Sequence, residues 1–225
     1  MTEYDNYPIA IDKRWSLEDL YIFPRAYEQV YFAYEALLPA TTEQVNARIE
    51  RAFNAFPWKG GYSAVNFYNQ LKYATPTNRR PVVKSMHYAS PGVIDLLLNL
   101  PLALKIAGVV SSVATSIGVC NKVYNAIYTN AQQRKLLGLD IKSREIDIAN
   151  KQMDFILESN KRLAELLKLE SPEAIEARAE HPLIAMKIMM SIYRRVRTLA
   201  EYQRTAKATL PQFVVSDDDN NLTEL

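Results

Sequence analysis

Proline positions constrain the fold of this chain more than any other feature of its sequence. The 225 residues include eleven prolines and six glycines, and eight of the prolines precede residue 102. A proline inside a helix clashes with the preceding turn, and in a sheet it removes a hydrogen-bond donor, so prolines mark the limits of regular elements. Because glycine is scarce, tight hairpin turns are disfavoured. The pattern predicts helices separated by stiff breaks.

Apolar residues between these prolines recur at intervals of three and four, which is the period of one helix face. Ser16 and Asp19 have the spacing of a capping box, so a helix is predicted there, with a restart or a kink at Pro24. Further helices are predicted after Thr41 and Ser63. Tyrosines crowd the first of these helices, and such residues suit either an interface or a polar-edged core.

Two short segments have the alternation of β-strands. Residues 7–13 are a short alternating segment. Residues 81–88 place Val82, Lys84, Met86 and Tyr88 on one face and Val83, Ser85 and His87 on the other, and we predict that the two strands pair with each other. The break at Ser90, Pro91 and Gly92 is predicted to begin an apolar helix. This break therefore separates a head from a helical tail.

The predicted fold is mostly α, with a small α-rich head, a minimal β-sheet, and a tail that forms a helical hairpin, a bundle or a coiled coil. Residues 1–89 form the head, and residues 90–130 form apolar helices rich in small residues. Residues 131–210 form a long helical hairpin, and residues 211–225 form a mobile acidic tail.

The junction Tyr88, Ala89, Ser90, Pro91, Gly92 resembles that of uncharacterised bacterial proteins in which a Tyr-x-Ser-Pro-Gly strand-to-helix junction precedes a helical tail. The resemblance implies a bacterial or phage-related source and is in keeping with an accessory or defence role. It carries over no site residue.

Small residues recur at every fourth position in the predicted helix around residues 101–121 and form two rows. The rows are Ala103, Ala107, Ser111 and Thr115, and Gly108, Ser112 and Ser116. Such spacing lets two helices approach closely, in a membrane or in a tight hairpin of a soluble protein. The uncharged stretch 106–121 spans roughly 24 Å, short of the roughly 30 Å hydrocarbon core of a bilayer. A buried helix is favoured, and membrane insertion of residues 101–120 is the alternative.

Residues between Leu139 and Leu167 follow a seven-residue repeat. The column comprises Leu139, Ile146, Met153, Asn160 and Leu167. Such a repeat is typical of a coiled coil, and a long core helix is the alternative. A polar residue in an apolar seam fixes register at a cost in stability, so Asn160→Leu is predicted to raise the melting temperature and to loosen register or oligomeric state. The last long helix is predicted to start at His181 and Pro182. Its apolar stripe from Met186 to Ala200 is a predicted partner within a helical hairpin.

Arg194, Arg195 and Arg197 form the densest basic cluster of the chain. Such a cluster can contact the phosphates of nucleic acid or of anionic lipid, but a solvated helix face explains it without a ligand and is the favoured interpretation. The net charge of +2 adds no strong field that would favour nucleic acid.

Side chains typical of catalytic or metal sites are scarce. His87 and His181 are the only histidines, and neither has metal-ligand spacing with a carboxylate or with Cys120. A glycine-rich phosphate loop and a nucleophile elbow are both missing from the sequence. We therefore predict no catalytic, cofactor-binding or metal-binding residues and no cofactor. The lone cysteine and the acidic N-terminal segment predict a cytoplasmic protein.

Together these features predict a non-enzymatic interaction or assembly protein that self-associates, or binds a protein partner, through its helical tail. Two alternatives remain open. The first is a membrane-directed effector that inserts the helix at residues 101–120, and the second is a nucleic-acid or anionic-lipid binder that uses the basic C-terminal helix.

Overall fold

The computed structural model describes residues 4–54, 61–138, 150–170 and 173–213. Within these ranges there are four strands and eight α-helices. The strands are β1 (Tyr4–Ile11), β2 (Val82–His87), β3 (Gly92–Asn99) and β4 (Ala208–Thr209). The helices are α1 (Leu17–Glu35), α2 (Glu43–Asn54), α3 (Gly61–Ala74), α4 (Leu100–Thr115), α5 (Ile117–Gln133), α6 (Asn150–Leu166), α7 (Glu173–Ala179) and α8 (Pro182–Arg204). The prediction of a mostly α fold with a minimal sheet is confirmed.

Local signals placed the starts of α1 and α2, whereas α3 begins at Gly61, two residues before the predicted cap Ser63. The side chains of Ser16 and Asp19 form the predicted capping box, and α1 then continues through Pro24 as one helix, without a restart. Thr42, one residue after the predicted Thr41, accepts a hydrogen bond from the Val45 amide at the start of α2. In these cases the cap lies within four residues of the groups that it satisfies, so the signal is local.

The four strands form one antiparallel sheet in the order β2-β3-β1-β4. β1 pairs with β3 along its whole length, from Tyr4 opposite Asn99 to Ile11 opposite Gly92. On its other side β1 pairs with β4, and β2 pairs with β3. The predicted direct pairing of residues 7–13 with residues 81–88 is therefore wrong, because β3 lies between the two strands.

Strand β3 corrects the prediction that Ser90, Pro91 and Gly92 begin an apolar helix. Gly92–Asn99, expected to open an apolar helix, forms the strand, and helix α4 begins only after Asn99, whose side chain accepts a hydrogen bond from the Leu102 amide. The segment is rich in leucine, a good helix former, which hid the alternation of its buried residues Ile94, Leu96 and Leu98. Because β3 and β4 both pair with β1, the sheet combines strands from both sides of residue 90.

Helix α8 is the central element of the helical layer. It packs against α1, α4, α6 and α7. The apolar stripe predicted for this helix is buried, and its residues are Met186, Met189, Tyr193, Val196 and Ala200. His181 caps the helix by accepting a hydrogen bond from the Leu183 amide at 3.1 Å. The predicted start at His181 and Pro182 is confirmed.

The predicted helix from residue 101 to about residue 130 is divided into α4 and α5 at Ser116. Most apolar side chains of α4, including Ile106, Val110 and Val113, are buried against the rest of the chain. Among the described helices, none has by itself the length and hydropathy needed to cross a membrane. Helices α4 and α5 meet those criteria only when taken together, and their axes differ by 91°.

Candidate functional site

The rows of small residues on α4 do not form one continuous contact surface. Ala103 and Ala107 are fully buried, whereas Thr115 is exposed. A Cβ atom added to Gly108 would meet no atom within 4 Å, so this glycine does not serve a close helix approach. Ser111 accepts a hydrogen bond from Gln203 Nε2 at 2.6 Å, which joins α4 to α8. The remaining positions, Ser112 and Ser116, are partly buried and exposed, respectively.

The described part of the heptad column is covered by the chain itself. Leu139 and Ile146 lie outside the described residues. Met153 packs partly buried against the core, and Leu167 is fully buried. Asn160 is also fully buried, and its Nδ2 donates hydrogen bonds to Glu176 Oε1 at 2.6 Å and to the Pro182 carbonyl at 3.0 Å. The amide thus ties α6 to α7 and to the start of α8 within one chain.

The predicted arginines of α8 belong to a cluster that also includes residues of α1, α3 and α5. We call it the basic cluster, and its members are Arg25, Gln29, Tyr68, Tyr124, Ser191, Arg194, Arg195 and Arg197. Arg195 lies at its centre. Its Nε donates to Gln29 Oε1 at 2.7 Å, and its Nη1 donates to the Ser191 carbonyl at 2.9 Å and to Ser191 Oγ at 3.0 Å. Its guanidinium lies 4.4 Å from the centroid of the Tyr68 ring.

These contacts hold the Arg195 guanidinium in a fixed position and leave part of it accessible. Tyr68 is buried, and its hydroxyl lies 3.3 Å from Ser191 Oγ, so the ring and the hydroxyl beneath Arg195 are both held in place. The remaining terminal nitrogen of Arg195, Nη2, has no hydrogen bond to the described residues and is not among the buried unpaired atoms. It therefore retains contact with solvent.

Two further arginines of α8 contact the aromatic ring of Tyr124 on α5. Arg194 Nη1 donates to the Tyr124 hydroxyl at 3.0 Å, and the Arg197 guanidinium lies 5.8 Å from the ring centroid. On α1, Arg25 donates to the Tyr21 hydroxyl and lies 5.3 Å from the centroid of that ring. Each of these guanidinium groups is partly exposed.

The electrostatics of the basic cluster are unusual for a helix surface. Burial lowers the pKa of Arg195, and the positive charges of Arg194 and Arg25 lower it further. Within the described residues, no carboxylate forms an ion pair with Arg25, Arg194, Arg195 or Arg197. The positive charges of these arginines are therefore partly shielded from solvent, and no carboxylate among the described residues neutralises them. Such an arrangement favours the binding of an anion.

Sequence reasoning found the three arginines of α8 but missed Arg25, Gln29 and Tyr68. These three residues are brought in by α1 and α3, more than a hundred residues earlier in the chain. Arg25 lies among the tyrosines of α1, and that crowding was the one signal that pointed to this region. The pairing of α1 with α8 left no local pattern.

The two histidines do not assemble a metal or catalytic site in the described residues. His181 caps α8, and burial lowers its pKa, with a further lowering by the charge of Lys187. His87 ends the exposed strand β2. Groups of three or more His, Cys, Asp or Glu side chains suited to a metal ion are not found in the part of the chain that the structure describes.

Comparison with protein-family models, with curated proteins and with solved structures finds no match for this chain. The resemblance of the Tyr88 to Gly92 junction to bacterial proteins therefore stays a prediction.

Proposed function

We propose that the protein is a non-enzymatic binding protein that holds a phosphate-bearing ligand in the basic cluster. The observation that carries the proposal is the Arg195 guanidinium held by Gln29, Ser191 and Tyr68, with no carboxylate paired to it or to Arg194 among the described residues. Self-association through the helical tail, the function favoured by the sequence, has less support, because Asn160 and Leu167 are covered within the chain.

The fixed guanidinium of Arg195 suits a phosphate group. Its Nε and Nη1 already donate to Gln29 and Ser191, and Nη2 is left to donate to a phosphate oxygen. Charge-assisted hydrogen bonds of this kind are the stronger ones in proteins. Because Gln29, Ser191 and Tyr68 already hold Arg195, little side-chain entropy is lost when a ligand binds. A dianion would also relieve the mutual repulsion of Arg25, Arg194 and Arg195, which a neutral ligand would not.

The cytoplasmic location expected from the sequence belongs to the same proposal. The free thiol of Cys120 is buried on α5, where it behaves as a small apolar side chain. A protein that carries a free thiol and binds phosphate groups fits a reducing compartment.

Isothermal titration calorimetry with inorganic pyrophosphate on the full chain tests the proposal. We expect saturable binding that weakens steeply with added salt, because the contacts are ionic. Arg25→Gln and Arg194→Gln are each expected to weaken the affinity about tenfold or more, in line with the loss of one charge-assisted contact. Arg48→Gln is the matched control, since it removes one positive charge from an exposed position on α2.

Vesicle flotation separates the two sources of phosphate. If the phosphate belongs to a lipid, vesicles of phosphatidylcholine that contain phosphatidic acid should float together with the wild-type chain. The Arg25→Gln and Arg194→Gln variants should then remain at the bottom of the gradient. Pyrophosphate binding without flotation assigns the site to a soluble ligand. An absence of binding in both assays, or an equal loss in Arg48→Gln, would refute the proposal.

A further inference from the structure

Strand β2 lies at the edge of the sheet and is exposed along its entire length. All six of its residues are solvent-exposed, whereas β1 and β3 bury every second residue. Val83 and Met86 lie opposite Leu96 and Ile94 in the register. They are 59% and 46% exposed, but Leu96 and Ile94 are only 7% and 6% exposed. The helical layer thus covers β3 but does not cover β2, which extends beyond the edge of that layer.

Several exposed apolar side chains lie on β2 or close to its end. Val82 is 53% exposed, and Tyr88, just beyond the end of the strand, is 54% exposed. The Tyr88 hydroxyl accepts a hydrogen bond from the Trp15 amide, which places the start of α1 beside it. Leu17, on the first turn of α1, is almost fully exposed. Grouped exposed apolar residues are typical of an interaction surface, whereas scattered ones are ordinary.

The sequence of β2 is complementary to itself in one antiparallel register. When two copies of β2 are related by a two-fold axis between Lys84 and Ser85, Val83 lies opposite Met86 of the second copy. Lys84 then lies opposite Ser85 of that copy, and the apolar side chains face each other. A shift by one residue would place Lys84 opposite a second Lys84 or opposite Met86. One register is therefore favoured over its neighbours.

Charge complementarity supports the same register. Ser85 Oγ lies 2.6 Å from Asp95 Oδ2 on the neighbouring strand β3, so an acidic group stands directly behind Ser85. A Lys84 ammonium placed opposite Ser85 of the other copy approaches that carboxylate. A lysine and a bulge in an edge strand usually protect the strand from indiscriminate pairing. Here β2 carries both Lys84 and a bulge between Val83 and Ser85. They disfavour pairing with any strand that does not place an acidic group near Lys84.

We propose that two copies of the chain associate through β2, which joins their sheets into one continuous eight-stranded antiparallel sheet. The contact is isologous, because each strand offers the same surface to the other. It uses the edge of β2 that pairs with no other strand among the described residues, and it covers Val83 and Met86. The dimer does not depend on the basic cluster, which lies on α1, α3, α5 and α8.

Register-specific cross-linking tests the dimer. Opposite residues of paired strands have Cβ atoms about 5 Å apart, whereas the two Val83 side chains lie about 10 Å apart along the strands, too far for a disulfide. A mixture of Val83→Cys and Met86→Cys chains should therefore form a disulfide-linked dimer under mild oxidation. Neither variant alone should do so. Tyr73→Cys, at an exposed position on α3, controls for random surface collision.

Sedimentation equilibrium of the full chain gives the second readout. The wild type should dimerise between about 1 and 100 μM, the range usual for a modest interface. Lys84→Glu should weaken dimerisation about tenfold or more, because it brings a carboxylate toward Asp95, while Lys84→Arg should preserve it. A wild type that stays monomeric throughout this range overturns the proposal, as does cross-linking that is equal in the single variants and in the mixture.

Discussion

At the scale of single residues, the stacked side chains of Tyr7 and Tyr27 differ in whether the hydroxyl group has a hydrogen-bond partner. The rings of Tyr7 and Tyr27 lie 6.4 Å apart and both are buried. The Tyr7 hydroxyl donates to the Pro211 carbonyl at 3.0 Å, but the Tyr27 hydroxyl is buried with no partner among the described residues. A buried polar atom without a partner costs free energy, whereas a satisfied one contributes.

We therefore expect opposite effects from the same chemical change. Tyr7→Phe should lower the free energy of unfolding by about 1 kcal/mol, and Tyr27→Phe should leave it unchanged or raise it. Urea denaturation of both variants measures the difference. Equal destabilisation by the two substitutions would mean that Tyr27 has a partner, such as a bound water.

Asn160 is predicted from the structure to stabilise the single chain. Its two donated hydrogen bonds join α6 to Glu176 and Pro182. Asn160→Leu should lower the free energy of unfolding by about 1 to 3 kcal/mol, because the Glu176 carboxylate loses its donor. It should leave the oligomeric state unchanged. The sequence alone predicted the reverse, a higher melting temperature with a looser register or oligomeric state. Thermal denaturation and sedimentation distinguish the two predictions.

Asp19 makes stability depend on pH in the acidic range. Burial opposes ionisation, but hydrogen bonds from Lys207, Ser16 and Tyr202 outweigh it and hold the pKa of Asp19 well below its usual range. A carboxyl with a lowered folded-state pKa stabilises the fold above the unfolded-state pKa of about 4, and this contribution is lost as pH falls below that value. Asp19→Asn should flatten the loss of stability between pH 4 and pH 2. A variant with the wild-type slope would exclude Asp19 as a source of acid sensitivity.

At the scale of elements, two glycines should respond oppositely to an added methyl group. Gly108 lies within α4 with open space around its Cβ position, so Gly108→Ala should stabilise the helix by about 0.5 to 1 kcal/mol. At Gly92, where β3 begins, a Cβ atom would lie 2.5 Å from the His87 carbonyl oxygen and 2.7 Å from the Ala89 amide nitrogen. Gly92→Ala should therefore destabilise the protein by about 1 kcal/mol or more. Thermal melts of both variants test this, and a destabilised Gly108→Ala would show that α4 needs a close neighbour at that position.

The elements found from the sequence are those with local signals. The box at Ser16 and Asp19 and the adjacent pair His181 and Pro182 are signals within a few positions of the chain, and they predicted the starts of α1 and α8. β3 was missed because its leucines suit a helix equally well, and only its pairing with β1 decides between the two. The basic cluster was found in part for the same reason, since Arg194, Arg195 and Arg197 are neighbours in sequence, whereas Arg25 reaches them only through tertiary packing.

At the scale of the whole molecule, the sheet ties early and late segments together. β1 pairs with β3 and β4, and α1 packs on α8. We therefore expect one cooperative unfolding transition, with the same midpoint by circular dichroism and by fluorescence that includes Trp15, which lies buried against Phe23 and Tyr202. A fragment of residues 1–89 should remain unfolded by itself. Cooperative melting of that fragment would restore the separate head that the sequence predicted.

The pairing of β1 with β4 also has a consequence for the order of events during synthesis. β1 leaves the ribosome before the other three strands, yet Ala10 and Ile11 pair with Thr209 and Ala208 only when nearly all of the described chain has been made. Until then the edge of β1 that pairs with β4 lacks its partner, and α1 cannot pack against α8. Contacts between such distant segments slow folding and prolong the exposure of unpaired strand edges. A nascent chain stalled before residue 182 should therefore remain protease-sensitive along its entire length, and resistance should appear late and in a single step.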